Sequence, residues 1–99
     1  MPTFVMVTQV SPESLGSPQT LEELERDTMN NIRGQCPQVH WIASYAVLGR
    51  FDYVDVFDAP DVDTAAKVSL LVRAHGHAHS EVMPATEWPR FKQMIHVLE

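Results

Sequence analysis

Residues 3–10, "TFVMVTQV", interleave β-branched and apolar side chains in the alternating manner of a strand, and "SPESLGSP" closes the run with turn formers. Helical spacing follows. Thr20 and Glu23 fit the T-x-x-E capping box, and Leu21, Leu24, Thr28 and Ile32 recur at three- and four-residue intervals up to a stop at Gly34. "VHWIASYAVLG" predicts a second strand, "GRFD" a turn at 49–52, and "YVDVFDA" a third strand, so the middle of the chain reads as a hairpin. Pro60 breaks that strand and Asp61 can cap the next helix, whose packed stripe is Val62, Ala65, Ser69 and Val72 and whose end is Gly76. "HAHSEVM" predicts a fourth strand. A last helix begins near Thr86, tolerates Pro89 in its first turn, and carries Trp88, Phe91, Ile95 and Leu98 along one side.

The predicted order is β-α-β-β-α-β with an extra C-terminal helix. That is an α+β, ferredoxin-like arrangement in one domain over residues 1–99, with an antiparallel sheet and two helices on one face. The other face is expected to carry Trp41, Tyr45, Tyr53 and Phe57, a set too large to leave in water. A second copy of the same sheet is the economical cover, so the expectation is a homodimer with room for a higher oligomer.

Composition removes several alternatives. The chain has 99 residues and a formal charge of −6, and its seven basic residues are scattered, which disfavours nucleic acid as a partner. One cysteine, Cys36, excludes an internal disulfide and suggests a reducing compartment. No apolar run approaches the roughly 20 residues that cross a bilayer, and the first ten residues do not read as a signal peptide. A cytoplasmic protein without membrane partners is expected. There is no G-x-G-x-x-G, no P-loop and no G-x-S-x-G, so nucleotide and serine-hydrolase chemistry fall away.

The segment "YAVLGRFDYVDVFDAPD" (45–61) and the following "AAKVSLLVRAHGHAHSEVMPATEW" resemble the GYD domain family of small bacterial proteins, which belongs with the dimeric α+β barrels. The family's Gly-Tyr-Asp triplet corresponds to Gly49, Phe51 and Asp52, with Arg50 inserted and the tyrosine hydroxyl missing. The resemblance implies a barrel of two sheets and a small-molecule pocket like those of related monooxygenases and isomerases. It implies little about activity, because the family is largely unassigned. The triplet itself reads as turn chemistry, with Gly49 permitting a bend and Asp52 binding nearby amides.

Two constellations carry candidate chemistry. In "HGHAHSE" the alternation of a strand puts His77, His79 and Glu81 on one face. Imidazoles and a carboxylate so arranged suit a divalent transition metal such as Zn, Cu, Fe or Ni. The plainer alternative is a polar strand face whose histidines bond water or backbone. On strand three, Tyr53, Asp55 and Phe57 share a face, so a carboxylate sits between two rings. Buried there, Asp55 would have a raised pKa and could act as a general base. In the catalytic version Asp55 moves a proton, Tyr45 stabilises developing oxyanion charge, and Trp41, Tyr53 and Phe57 hold an apolar ligand. The leading expectation is a homodimeric barrel binding a small organic ligand or metal in a polar-aromatic cavity, with catalysis open. The alternatives are a non-catalytic module for a ligand or protein partner, and a histidine-based metal-binding protein.

Overall fold

The computed structural model describes residues 1–12, 17–75 and 78–98. The elements run β1 (Thr3–Val10), α1 (Pro18–Gln35), β2 (His40–Ala46), β3 (Tyr53–Asp58), α2 (Val62–His75), β4 (Ala78–Ala85) and α3 (Trp88–Val97). The four strands form one antiparallel sheet in the order β2-β3-β1-β4, as the ferredoxin-like expectation requires. Pro84 is accommodated because β4 is an edge strand, where a missing amide costs the ladder little.

Local signals set the helix ends, with two corrections at α1. Helix α1 starts ahead of the expected Thr20–Glu23 box. Ser17 is its N-cap, accepting from the Thr20 amide at 3.4 Å, and Pro18 occupies the first turn. Proline lacks the amide that would be orphaned there and already holds a helical φ, so the helix can begin three residues earlier. It also runs past Gly34 to Gln35, and the Cys36 amide closes it on the Ile32 carbonyl at 2.7 Å. At α2, Asp61 Oδ1 accepts from both the amide and the hydroxyl of Thr64 at 2.7 Å, which holds its carboxyl below the usual range.

One face of the sheet is covered by α1 and α2. On β1, Phe4, Met6, Thr8 and Val10 point toward the helices and are buried, and Phe4 and Met6 pack with Ile32, Cys36, Ala65, Val68, Leu71 and Val72. Of the stripe predicted for α2, Ala65, Ser69 and Val72 are buried as expected, whereas Val62 is exposed and Val68 and Leu71 complete the packed side. Ser69 pairs with Ser80 of β4, hydroxyl to hydroxyl at 2.6 Å, and Ser80 also donates to the Ser69 carbonyl at 3.0 Å. These two buried hydroxyls satisfy each other where α2 crosses β4.

The expected placement of the aromatic set is overturned. Phe57 is 0 % exposed within the single chain and lies under the helices, stacked between Phe4 (5.9 Å) and Trp41 (5.0 Å). The cause is cross-strand register. Phe4 stands opposite Phe57 and Met6 opposite Asp55, so the odd positions of β3 share the helix-covered face with the even positions of β1. The face without helices instead carries Val5, Val7, Val54 and Val56, with Met83 alongside Val5.

Helix α3 packs differently from the others. None of its residues is buried, and Trp88, Phe91 and Ile95 are all exposed along one side, with Trp88 and Phe91 stacked at 5.9 Å. The molecule measures 51 × 30 × 17 Å, and its radius of gyration is 15.0 Å against about 12.6 Å for a compact chain of this length.

Candidate functional site

Helix α2 lies against β4 and α1 lies against α2. Between α1 and the sheet this leaves a cavity of about 220 Å³. Its walls come from Leu21, Leu24, Thr28, Met29 and Ile32 of α1. Its floor comes from Met6 and Thr8 of β1, Trp41 and Ser44 of β2, and Tyr53 and Asp55 of β3. The helical stripe predicted for α1 therefore faces the cavity, with Thr28 and Ile32 buried and Leu21 and Leu24 half-buried.

Asp55 is the ionisable group of the floor. Burial pushes its carboxyl upward, hydrogen bonding from Ser44 and Trp41 pulls the other way, and the charge of Glu25 adds to the rise. The Tyr53 hydroxyl is raised as well, first by burial and then by Asp52, Glu25 and Asp55. Thr28 adds a second feature. Its hydroxyl is buried and has no hydrogen-bond partner among the described residues. Such orphans are uncommon in native interiors.

The structure brings together only part of the expected site. Trp41, Tyr53 and Asp55 meet at the cavity, and Phe57 supports Trp41 from the core. Tyr45, expected beside Asp55, is turned to the other side of the sheet. The register of β2 shifts between Trp41 and Ala43, so Ser44 stands opposite Asp55 and Tyr45 opposite Val54. Tyr45 is 61 % exposed, and part of it still lines the cavity. A β-bulge reverses the inward and outward alternation downstream of it, and nothing in "WIASYA" announces one. Ser44, Thr28 and Glu25 were missed for related reasons, since each belongs to the site through register or helix placement rather than through a motif.

Of the proposed metal set, His79 and Glu81 stand on the face without helices, 3.4 Å apart and about half exposed. His77 lies outside the described residues. Among the described residues no three His, Cys, Asp or Glu side chains converge on a common point.

The turn bearing the triplet is held by its aspartate. The Val10 amide donates to Asp52 Oδ2 at 2.8 Å, and the Asp52 amide donates to the Thr8 carbonyl at 2.8 Å. This stitches the hairpin to the end of β1. Gly49 does not occupy the left-handed region, and a Cβ there would meet open space, so the bend makes no demand for glycine. The Arg50 guanidinium sits 5.6 Å from the centre of the Phe51 ring.

The profile of the GYD domain matches residues 4–95, nearly the whole chain, and the chain belongs to that family. Among characterised proteins it is similar to one from Thermus thermophilus, named "Glutamine synthetase and cystathionine beta-lyase binding protein". The two are 26% identical over 89 residues, which is 86% of this chain and 88% of that protein. No helix among the described residues is long and apolar enough to cross a membrane.

Proposed function

We propose that this GYD-domain chain is a homodimeric protein-binding module whose partners are enzymes. The name of the Thermus thermophilus relative supports the second half of that reading, because it describes a protein that binds glutamine synthetase and cystathionine beta-lyase.

The uncovered apolar surface supports the first half. The chain exposes 6799 Å². A compact monomer of 11.2 kDa is expected to expose about 5,700 Å². The excess, about 1,100 Å², is of the size each partner gives up in a standard interface, about 800 Å². Exposed apolar side chains include Trp88, Phe91 and Ile95 of α3 and Met83 beside the half-buried valine row. A second copy covers both, since a two-fold pairing matches each valine row with an identical one.

The dimer surface in this reading is the valine face and α3, not the aromatic face of the sheet. Phe57, Trp41 and Tyr53 lie on the helix-covered side, and Tyr45, the valines and α3 are what remain to be covered. The test is calorimetric titration of the purified protein with glutamine synthetase and with cystathionine beta-lyase from the same organism. Saturable binding of either enzyme, with a stoichiometry counted in dimers, is expected. Absence of binding to both would overturn the partner assignment.

A further inference from the structure

We propose that the cavity beneath α1 binds a small organic ammonium ion, an apolar body of one ring or a short chain bearing a single protonated amine. The proposal is independent of the dimer and of any protein partner, because the cavity is formed within one chain. Four observations carry it.

The first is size. The cavity measures about 220 Å³, and an apolar protein cavity of roughly 150 Å³ is enough to take up benzene. The second is charge. Among the described residues, Asp55 on the floor and the exposed Glu25 on α1 are the charged residues around the cavity, and no lysine, arginine or histidine lines it. An anion entering would meet two carboxylates with no compensating cation, whereas an ammonium ion would neutralise one of them.

The third is hydrogen-bond polarity. The Asp55 carboxylate accepts only, and the buried Thr28 hydroxyl has no partner among the described residues. An ammonium group supplies three donors and no acceptor, so it can pair with the carboxylate and with the lone pairs of the Thr28 hydroxyl. The fourth is the character of the walls. Trp41 and Tyr53 offer aromatic surface to a cation, and Leu21, Leu24 and Met29 offer apolar surface to its body. Burial of Asp55 without a counter-charge raises its carboxyl, and a bound cation would offset that cost.

The experiment is a titration of the intact protein at pH 7 with benzylamine, followed by the Trp41 indole N–H resonance. Benzyl alcohol and benzoate serve as neutral and anionic probes of matched shape. The expected result is a saturable shift with benzylamine, at a dissociation constant of roughly 1 mM or tighter. Benzyl alcohol should bind at least about fivefold more weakly, and benzoate should cause no saturable shift. Asp55→Asn keeps the shape and removes the charge, and should weaken benzylamine by about fivefold or more. Leu24→Trp fills the space from α1 and should abolish binding while far-ultraviolet circular dichroism stays native.

Three results would each overturn the proposal: no saturable shift with benzylamine, butylamine or cyclohexylamine; benzoate binding as well as benzylamine; or an Asp55→Asn variant that binds benzylamine as tightly as the parent. If Leu24→Trp fails to fold, the Asp55→Asn comparison decides alone.

Discussion

Trp41 and Ser44 lie on the same side of the sheet although they are three residues apart on one strand, and the Trp41 indole donates to Ser44 Oγ at 2.7 Å. In a regular strand an odd separation puts two residues on opposite faces. The register shift between Trp41 and Ala43 reverses that rule and delivers a serine, rather than Tyr45, to the neighbourhood of Asp55. The polarity of the cavity floor follows from this one irregularity.

Ser44→Ala tests that arrangement. The hydroxyl helps hold the Asp55 carboxyl down against burial, so its removal should move the Asp55 titration to higher pH. Carbon-detected NMR of the Asp55 side chain reads the change directly. A titration that stays in place, or moves down, would separate Ser44 from the carboxylate.

Asp55→Asn should stabilise the unliganded protein at neutral pH. Burial raises the native carboxyl above its unfolded value near 3.9. Between those two values the native state keeps a proton that the unfolded chain has lost, so stability falls as pH rises through that window. Above it the penalty is constant. Asparagine removes the penalty, so the stability gain of the variant should grow from about pH 4 upward and then level off. Urea denaturation across pH 3 to about 8 measures it, and a gain that is largest in acid would contradict the sign.

The Ser69–Ser80 pair should show strong coupling. Ser80→Ala leaves the buried Ser69 hydroxyl without its partner and should cost about 1–3 kcal/mol, whereas Ser69→Ala leaves Ser80 its bond to the residue 69 carbonyl and should cost less. The double variant Ser69→Ala, Ser80→Ala removes both polar groups and should cost less than the sum of the single changes. Strict additivity in denaturant midpoints would show that the two hydroxyls do not depend on each other.

Phe57 is the centre of the core, stacked on Phe4 and Trp41 and fully buried. Phe57→Ala should lose about 3–5 kcal/mol, a large share of the stability of so small a domain. Thermal unfolding should drop accordingly. Had the ring belonged to an intermolecular surface, the substitution would weaken association and leave the stability of the monomer nearly intact.

The order of elements was legible because each carries a local signal. The valine-rich alternation of β1, the Asp61 cap, Pro60 and the apolar side of α3 are all encoded within a few residues. Membership of the GYD family was legible in the segment from Tyr45 to Trp88. The faces were not. Period-two alternation states which residues go together and leaves open which side the helices will cover, so Phe57 and Asp55 were expected on the face that a second copy covers, whereas they stand on the helix-covered face. Tyr45 was misplaced by a bulge that depends on the pairing of β2 with β3. Thr28 could be read as part of a packed stripe, but its unmet hydroxyl is a property of the space between α1 and the sheet.

The account stands on the row formed by Val5, Val7, Val54 and Val56 being covered by a second copy. Sedimentation velocity of the wild-type chain and of Val56→Glu tests it most directly. The wild type should sediment at twice the monomer mass of 11.2 kDa, and the variant at the monomer mass with a native circular dichroism spectrum. A wild-type chain that remains monomeric, or a Val56→Glu chain that still pairs with undiminished affinity, would contradict it.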